Sequence, residues 1–126
     1  MKYKKNTKSK GLLGEKVAVS YLLKNNFKIL EKNLREKNAE VDIVALKEGV
    51  FHFVEVKSDF CAGKEKGWFP EERIDINKIK RINKVACFYL ERKGRQDYSW
   101  CIDVISVLFS PEGELLEIKM MENVVL

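Results

Sequence analysis

The fold of this 126-residue chain is decided by residues 39–57, which read AEVDIVALKEGVFHFVEVK. Two runs rich in β-branched and aromatic residues flank Glu48 and Gly49, and this pattern predicts a β-hairpin with a tight turn. With a two-residue loop, Lys47 pairs with Val50, and the register of the whole hairpin follows from that pair. The stretch therefore predicts two adjacent antiparallel strands with a defined set of facing residues.

The predicted register brings charged side chains together on one face of the sheet. Asp42 lies opposite Glu55. Glu40 lies opposite Lys57, and both pairs share a face because side chains alternate with period two. Two facing carboxylates about 5 Å apart repel each other by on the order of 3–4 kcal/mol at an effective dielectric constant of about 20. A divalent cation relieves that repulsion, and hard oxygen ligands suit Mg²⁺ or Mn²⁺. The sequence therefore predicts a metal site at Asp42 and Glu55.

The composition indicates one globular domain. The chain is 45% hydrophobic and contains neither repeats nor low-complexity segments. No apolar run approaches the roughly 18 residues that cross a bilayer. The lysine-rich start has no apolar segment behind it, unlike a secretory signal. We therefore expect a cytoplasmic protein without a membrane partner.

The cysteines indicate neither a disulfide framework nor a zinc site. Cys61, Cys87 and Cys101 are odd in number and lack Cys-x-x-Cys spacing. In a cytoplasmic protein this pattern favours reduced, mostly buried thiols.

The formal charge of +5 is concentrated at one end of the chain. Residues 1–10 contain five lysines and no acid, whereas the other 116 residues carry 19 basic and 19 acidic groups. We therefore predict a flexible basic arm at residues 1–9 and a single domain over residues 10–126. Two interpretations of the arm stay open: Lys4 and Lys5 contact phosphates, or the arm is a solubilising end.

Hydrophobic periodicity and capping residues predict an α/β order. Ser9 caps a first helix, Asp75 caps a second, and Gly94 ends the second. The predicted elements are a helix at 10–26, a strand at 27–33, a polar connection at 34–38, the two hairpin strands, a loop at 58–73, a helix at 76–93, and strands at 98–109 and 114–125.

Two acidic residues lie within apolar segments. Glu15 lies on the stripe of the first helix that includes Leu12. It is either a surface glutamate paired with a lysine or a carboxylate aimed at the predicted metal site. Asp103 interrupts the apolar strand at 98–109. Because an unpaired buried carboxylate is costly, we expect Asp103 to bond to a lysine or a backbone group of the second helix.

Two segments have features typical of nucleic-acid contacts. Residues 78–95 hold a single acid, Glu91, and the basic residues Lys78, Lys80, Arg81, Lys84, Arg92, Lys93 and Arg95. We interpret this face, and Lys78, Arg81 and Lys84 in particular, as a phosphate-binding footprint rather than an ordinary solvated surface. In the 58–73 loop, Trp68 and Phe69 either stack on a base or anchor the loop locally.

An aspartate followed by Glu-x-Lys suits metal-assisted phosphodiester hydrolysis. Asp42 and Glu55 would hold the ion, which polarises the phosphate and lowers the pKa of a bound water. Lys57 would orient or deprotonate that water or stabilise the transition state. Glu40 would hold Lys57 in place or act as an additional base.

These motifs together resemble the YraN-like family of small bacterial proteins, which are similar to restriction-endonuclease-like nucleases of the PD-(D/E)XK superfamily. The resemblance is carried by Gly14-Glu15, residues 39–45, residues 53–57 and the 78–90 helix, and it extends over residues 10–109. It implies an α/β fold with a restriction-endonuclease-like α-β-β-β-α-β core, in which a central mixed β-sheet is flanked by helices.

The resemblance also implies roles for individual residues. Asp42, Glu55 and Lys57 would form the nuclease triad, with the Val56 carbonyl as a further metal ligand. Glu15 would stand where the related archaeal Holliday-junction resolvases keep an acidic residue on a helix, which favours a catalytic and metal-binding role for it.

The chain departs from the family pattern at three positions. Ala39 stands in place of a glycine, and Asp59 and Cys101 stand in place of arginines. Two cationic groups are thereby absent near the site, while the expected metal ligands are intact.

We therefore expect a Mg²⁺- or Mn²⁺-dependent DNA endonuclease that acts on branched or otherwise structured DNA. The alternative is a non-catalytic nucleic-acid-binding module on the same scaffold. A third hypothesis is a protein-binding adaptor with affinity for neither metal nor nucleic acid. Many small nucleases of this fold act as dimers, so a homodimer is one expected assembly.

Overall fold

The computed structural model describes residues 7–61, 68 and 70–124. In this part of the chain a five-stranded sheet lies between two α-helices. The elements are α1 (Thr7–Lys24), β1 (Lys28–Glu36), β2 (Ala39–Lys47), β3 (Val50–Phe60), a 3₁₀ turn (Pro70–Arg73), α2 (Ile76–Arg92), β4 (Trp100–Phe109) and β5 (Leu115–Met121).

The sheet is mixed, as predicted. Its strand order is β1-β2-β3-β4-β5, with β3 and β4 parallel and the other neighbours antiparallel. One face packs on α2 through a cluster that includes Phe53 and Ile82. The opposite face packs on α1 through a cluster that includes Leu22 and Val54. The predicted α/β core with helices on both faces is therefore confirmed.

The hairpin between β2 and β3 has the predicted turn. Glu48 and Gly49 have φ values of +50° and +78°, and two successive positive values are typical of a two-residue hairpin loop. Lys47 pairs with Val50, which confirms the predicted register. Gly49 suits this position because a glycine has no Cβ to clash in the left-handed region.

The β2–β3 ladder is short, and the sheet forks beyond it. Paired residues run only from Lys47 and Val50 to Ile43 and Val54. From there β2 continues beside β1 as far as Ala39, whereas β3 continues beside β4. The two strands therefore separate at Asp42 and Glu55, which are the next residues of β2 and β3 beyond the last pair.

Helix α2 is bounded as its sequence predicts. The Asp75 side chain accepts hydrogen bonds from the backbone N–H groups of Asn77 and Lys78, and Gly94 follows the helix with a φ of +67°. Helix α1 differs from the prediction. It begins at Thr7, so Ser9 lies inside it and is not its cap.

The early start of α1 changes the predicted arm. Residues 7–9 are helical rather than part of a flexible arm, and Lys4 and Lys5 lie outside the described residues. The buried stripe of α1 consists of Leu13, Ala18 and Leu22, whereas Leu12 is 55% exposed. In β1, the strand continues to Glu36, so the connection predicted at 34–38 shrinks to a turn.

The chain after β5 covers the beginning of β4. The β4–β5 ladder begins at Val104 and Met121. Nearer the start of β4, the Val124 N–H donates to the Ile102 carbonyl at 2.7 Å and the Asn123 N–H donates to Asp103 at 2.8 Å. No helix in the described ranges is long and apolar enough to span a membrane.

Helix α1 lies close to β3 at Gly14. A Cβ at this residue would lie 1.8 Å from Ser58 Oγ and 3.2 Å from Ser58 Cβ, whereas a Cβ at Gly11 would meet nothing within 4 Å. The missing side chain of Gly14 therefore permits the contact that sets the position of the neighbouring Glu15 over the sheet.

We expect Gly14→Ala to lower the free energy of unfolding by about 1–3 kcal/mol, because the Ser58 hydroxyl must rotate away and the methyl group still lies only 3.2 Å from Ser58 Cβ. Gly11→Ala is the matched control in the same helix, and its stability should be unchanged or raised by up to about 1 kcal/mol. Urea denaturation measures both. Equal stabilities for the two variants would contradict the close approach of α1 to β3.

Candidate functional site

The carboxyl groups of Asp42 and Glu55 meet at the fork of the sheet. Asp42 Oδ2 accepts a hydrogen bond from the Val56 N–H at 2.7 Å, which holds its side chain across the gap between β2 and β3. Burial raises the pKa of Glu55 to about 8, and a hydrogen bond to Asp42 and the charge of Asp42 act in the same direction. Glu55 therefore keeps its proton near neutral pH while it lies against Asp42.

Glu55 is a buried acid with an unsatisfied oxygen. Its relative exposure is 3%, and its Oε2 atom has no hydrogen-bond partner among the described residues. Lys57 Nζ lies 3.7 Å and Lys78 Nζ 3.5 Å from that oxygen. Both ammonium groups offset part of the raised pKa. Lys57 therefore lies beside Glu55, as the sequence predicts, and Lys78 adds a second cation that the sequence alone did not place there.

Glu15 lies on α1 near the same site. Desolvation raises its pKa most, followed by the charges of Asp42 and Glu40, while Lys32 lowers it. With its amide nitrogen turned toward them, Asn33 donates to Glu15 at 2.7 Å and to Glu40 at 3.1 Å. The structure thus brings Glu15 toward the predicted metal site, and Lys32 is a basic neighbour as well.

Glu40 does not pair with Lys57 as predicted. It forms an ion pair with Arg35 of β1, at 3.3 Å. The β2–β3 ladder ends before Glu40 and Lys57 are reached. In addition, Val41 packs with the α2 cluster while Ile43 packs with the α1 cluster, so the alternation of faces shifts between them. The predicted shared face of all four charged residues is therefore wrong for Glu40.

Val56 presents its backbone to the gap. Its N–H donates to Asp42 on the β2 side. Because the N–H and the C=O of one strand residue leave the strand on the same side, the Val56 carbonyl faces the gap too. The gap thus contains carboxylate oxygens, an unsatisfied Glu55 oxygen and a backbone carbonyl. This set of hard oxygen donors fits Mg²⁺ or Mn²⁺.

A groove lined by cations leads to the carboxylate pair. Its volume is about 780 Å³, and it runs between the β1–β2 turn and α2. Its charged lining residues are the basic Arg35, Lys37, Lys78 and Arg81 and the acidic Glu36 and Glu40. Lys78 belongs to both the groove and the site, because it also forms the ion pair with Glu55. We call this surface the basic groove.

A second cavity of about 490 Å³ shares Lys37 and Arg81 with the basic groove and adds Lys84 and Phe88. The Phe88 ring is 42% exposed, and Lys37 Nζ lies 5.1 Å from its centroid. The predicted residues Lys78, Arg81 and Lys84 therefore lie along one surface next to the carboxylate pair.

The rest of the predicted basic face has other partners. Arg92 forms an ion pair with Glu36 and lies over the Tyr89 ring, and Arg95 donates to Tyr98. The Arg92 ion pair joins α2 to β1, and the Arg95 contact is local to the end of α2. The basic groove is therefore a smaller and better defined surface than the charge pattern of residues 78–95 suggests.

The structure also shows the surroundings of Asp103 and Trp68. Asp103 is fully buried, but its partners are His52 and the Asn123 N–H rather than helix α2, so that prediction is wrong. The indole N–H of Trp68 donates to Asp59 at 3.0 Å, which supports a local anchor. Phe69 lies outside the described residues.

Glu55→Gln should stabilise the metal-free protein at high pH. With a pKa of about 8 in the folded state against an ordinary value of 4.5, Glu55 costs stability as the pH rises from about 4.5 to 8. We expect the free energy of unfolding of the variant to be about 1–3 kcal/mol higher than that of the wild type at pH 8, and to differ little at pH 4.5. Denaturation in a chelator at both pH values measures this.

The exposed residue Glu114 provides the control for this measurement. Glu114→Gln removes a carboxylate from the β4–β5 turn and should leave the pH dependence of stability unchanged. Parallel curves for Glu55→Gln and the wild type would show that Glu55 ionises normally in the folded protein.

Comparison with known proteins places the chain in a family. The model of "Uncharacterised protein family UPF0102" matches residues 14–107. A UPF0102 protein of Clostridioides difficile is 44% identical over 81% of this chain and 87% of its own length. A UPF0102 protein of Caldanaerobacter subterraneus is 38% identical over 90% and 91%, respectively. The resemblance to the YraN-like proteins is thereby confirmed, and the chain belongs to the UPF0102 family.

Proposed function

We propose that this protein is a metal-dependent nuclease that hydrolyses phosphodiester bonds in DNA, with branched or otherwise structured DNA as its substrate. The observation that carries the proposal is the buried Glu55 carboxyl, which lies against Asp42 with one oxygen unsatisfied and two lysines within 3.7 Å. Since burying acids together costs free energy, such a cluster is typical of a site selected for chemistry.

The residues that would hold Mg²⁺ or Mn²⁺ are Asp42 and Glu55, with the Val56 carbonyl and Glu15 as further oxygen donors. When bound, the ion supplies Lewis-acid polarisation of the phosphate and a water of lowered pKa. Asp42 is already oriented toward the gap by the Val56 N–H. Glu55 is held in place by burial between the sheet and α2.

Lys57 and Lys78 would act on the phosphate and the attacking water. Each has its ammonium group within 3.7 Å of Glu55 Oε2. Lys57 would orient or deprotonate the water and stabilise the negative charge that develops on the phosphate. Lys78 also lines the basic groove, so it is suited to hold the phosphate that enters from there. Glu40, paired with Arg35, would help to position the groove wall.

The basic groove supports a nucleic-acid substrate. Arg35, Lys37, Arg81 and Lys84 neutralise phosphates over a surface that ends at the carboxylate pair. The exposed Phe88 ring beside Lys37 is a platform on which an unpaired base can stack. The single-stranded arm of a flap offers unpaired bases and a continuous duplex does not, which favours structured DNA.

The nuclease proposal is tested with purified protein, Mn²⁺ or Mg²⁺, and junction, flap and linear duplex substrates. We expect cleavage that is abolished by a chelator, because the chelator removes the ion. We expect Asp42→Asn to lower cleavage at least 100-fold, because the substitution removes the negative charge of one metal ligand. Asparagine keeps the shape of aspartate and an oxygen that accepts from Val56. Cleavage by Glu114→Gln should equal that of the wild type. Wild-type activity no higher than that of Asp42→Asn over all three substrates would refute the proposal.

A second candidate function is a non-catalytic nucleic-acid-binding module. It is favoured by one observation: most cations of the basic groove lie outside the carboxylate pair and do not need it for phosphate contact. Such a module would bind DNA in Asp42→Asn as tightly as in the wild type, without cleavage. A protein lacking affinity for both metal and DNA would instead fit the adaptor hypothesis.

Arg81→Ala should weaken DNA binding in a salt-dependent manner. Each cation removed from a phosphate reduces the slope of log K against log salt by about 1. Lys24→Ala, at the exposed end of α1 on the opposite side of the sheet, is the control and should keep the wild-type slope. Fluorescence anisotropy at several salt concentrations measures both. Identical slopes for the two variants would remove the basic groove as the binding surface.

A further inference from the structure

A second cluster of polar side chains lies on the face of the sheet opposite to Glu55. His52 of β3 pairs with Cys101 of β4 in the parallel ladder, and Asp103 follows two residues later on the same face. The His52 ring packs edge-on against Phe27, which belongs to the α1 cluster. Glu55, three residues further along β3, instead faces Lys78 of α2.

Three different donor atoms converge within this cluster. His52 Nδ1 lies 2.5 Å from Asp103 Oδ2 and 3.1 Å from Cys101 Sγ. Cys101 Sγ lies 3.4 Å from Asp103 Oδ1. One ring nitrogen of His52, the sulfur of Cys101 and one carboxylate oxygen of Asp103 all lie within 4.8 Å of one another.

This geometry does not fit a proton relay. In a nucleophile–histidine–acid triad the nucleophile and the acid contact different ring nitrogens, so that a proton taken at one nitrogen is balanced at the other. Here Cys101 and Asp103 both contact Nδ1 of His52. The three donor atoms are, however, near enough to one another to bind one ion.

We propose that His52, Cys101 and Asp103 bind a Zn²⁺ ion at a site separate from the Asp42–Glu55 pair. Imidazole, thiolate and carboxylate form a mixed donor set that suits Zn²⁺, whereas the all-oxygen set at Glu55 suits Mg²⁺ or Mn²⁺. Three protein ligands leave a fourth position for water. The proposal of a zinc site does not depend on the proposal of nuclease activity.

The distances allow an ion with small side-chain movements. Ligand bonds of about 2.0–2.3 Å in a tetrahedral arrangement require donor atoms to lie about 3.3–3.6 Å apart. The His52–Asp103 distance must therefore open from 2.5 Å, while the Cys101–His52 distance of 3.1 Å is closer to the required value. His52 and Cys101 are only partly buried.

The surroundings supply orientation, charge and access. The Asn123 N–H donates to Asp103 Oδ1, which leaves Oδ2 directed at His52. The charged groups that act on Cys101 are Asp103 and Glu122, and both are acidic. Access from solvent is provided by His52 and Cys101, which are only partly buried. Binding would release the thiol proton of Cys101 to the buffer.

The test is calorimetric titration of the full chain with Zn²⁺, together with absorption spectra of the Co²⁺-substituted protein. We expect one Zn²⁺ per chain in addition to any metal at the carboxylate pair, and a thiolate-to-cobalt charge-transfer band. Cys101→Ser changes one atom and should lower Zn²⁺ affinity at least about tenfold and abolish the band. Cys87→Ser, at an exposed position on α2, is the matched control and should retain both.

Further variants separate the two sites. Zn²⁺ binding and the cobalt band should persist in Asp42→Asn, whereas His52→Gln should lose both while keeping the wild-type circular dichroism spectrum. Absence of the charge-transfer band in the wild type, or Zn²⁺ affinity in Cys101→Ser equal to that of the wild type, would overturn the proposal.

Discussion

The burial of Glu55 beside the half-buried carboxyl group of Asp42 is the constraint on which the rest of the structure depends. Removing an unpaired carboxylate from water costs several kcal/mol, and a second acid beside it adds to that cost. The chain offsets this cost with fixed donors and cations: the Val56 N–H on Asp42, and the ammonium groups of Lys57 and Lys78 near Glu55. Val56 and Lys57 belong to β3, whereas Lys78 belongs to α2.

Helix α2 contributes through its first turn. The Asp75 cap accepts from the backbone N–H of Lys78, so the residue that fixes the start of the helix also fixes the position of a site lysine. Capping is a local interaction of about 1 kcal/mol. Here it orients a cation toward Glu55 and toward the basic groove at the same time, and thereby links the stability of the helix to the charge balance of the site.

Features set by neighbours in sequence were predictable, and features set by distant contacts were not. The Glu48–Gly49 turn and the Asp75 cap follow from local residue preferences, and the structure confirms both. The pairing of Glu40 with Lys57 failed because period-two alternation assumes an unbroken ladder, and no local signal marks the fork after Ile43 and Val54. The partners of Asp103 lay beyond sequence reasoning for a similar reason, since His52 is 51 residues away and is joined to Cys101 only across the whole α2 crossover.

The short segment after β5 has a consequence for solubility. The first residues of β4 extend beyond the β5 ladder, and an exposed strand edge is a template to which another chain can add. Val124 occupies that edge by donating its N–H to the Ile102 carbonyl, and the Asn123 N–H donates to the Asp103 side chain beside it. The last turn of the described chain thus hinders edge-to-edge aggregation. Because it bonds through its backbone N–H groups, this protection depends little on the side chains of the turn.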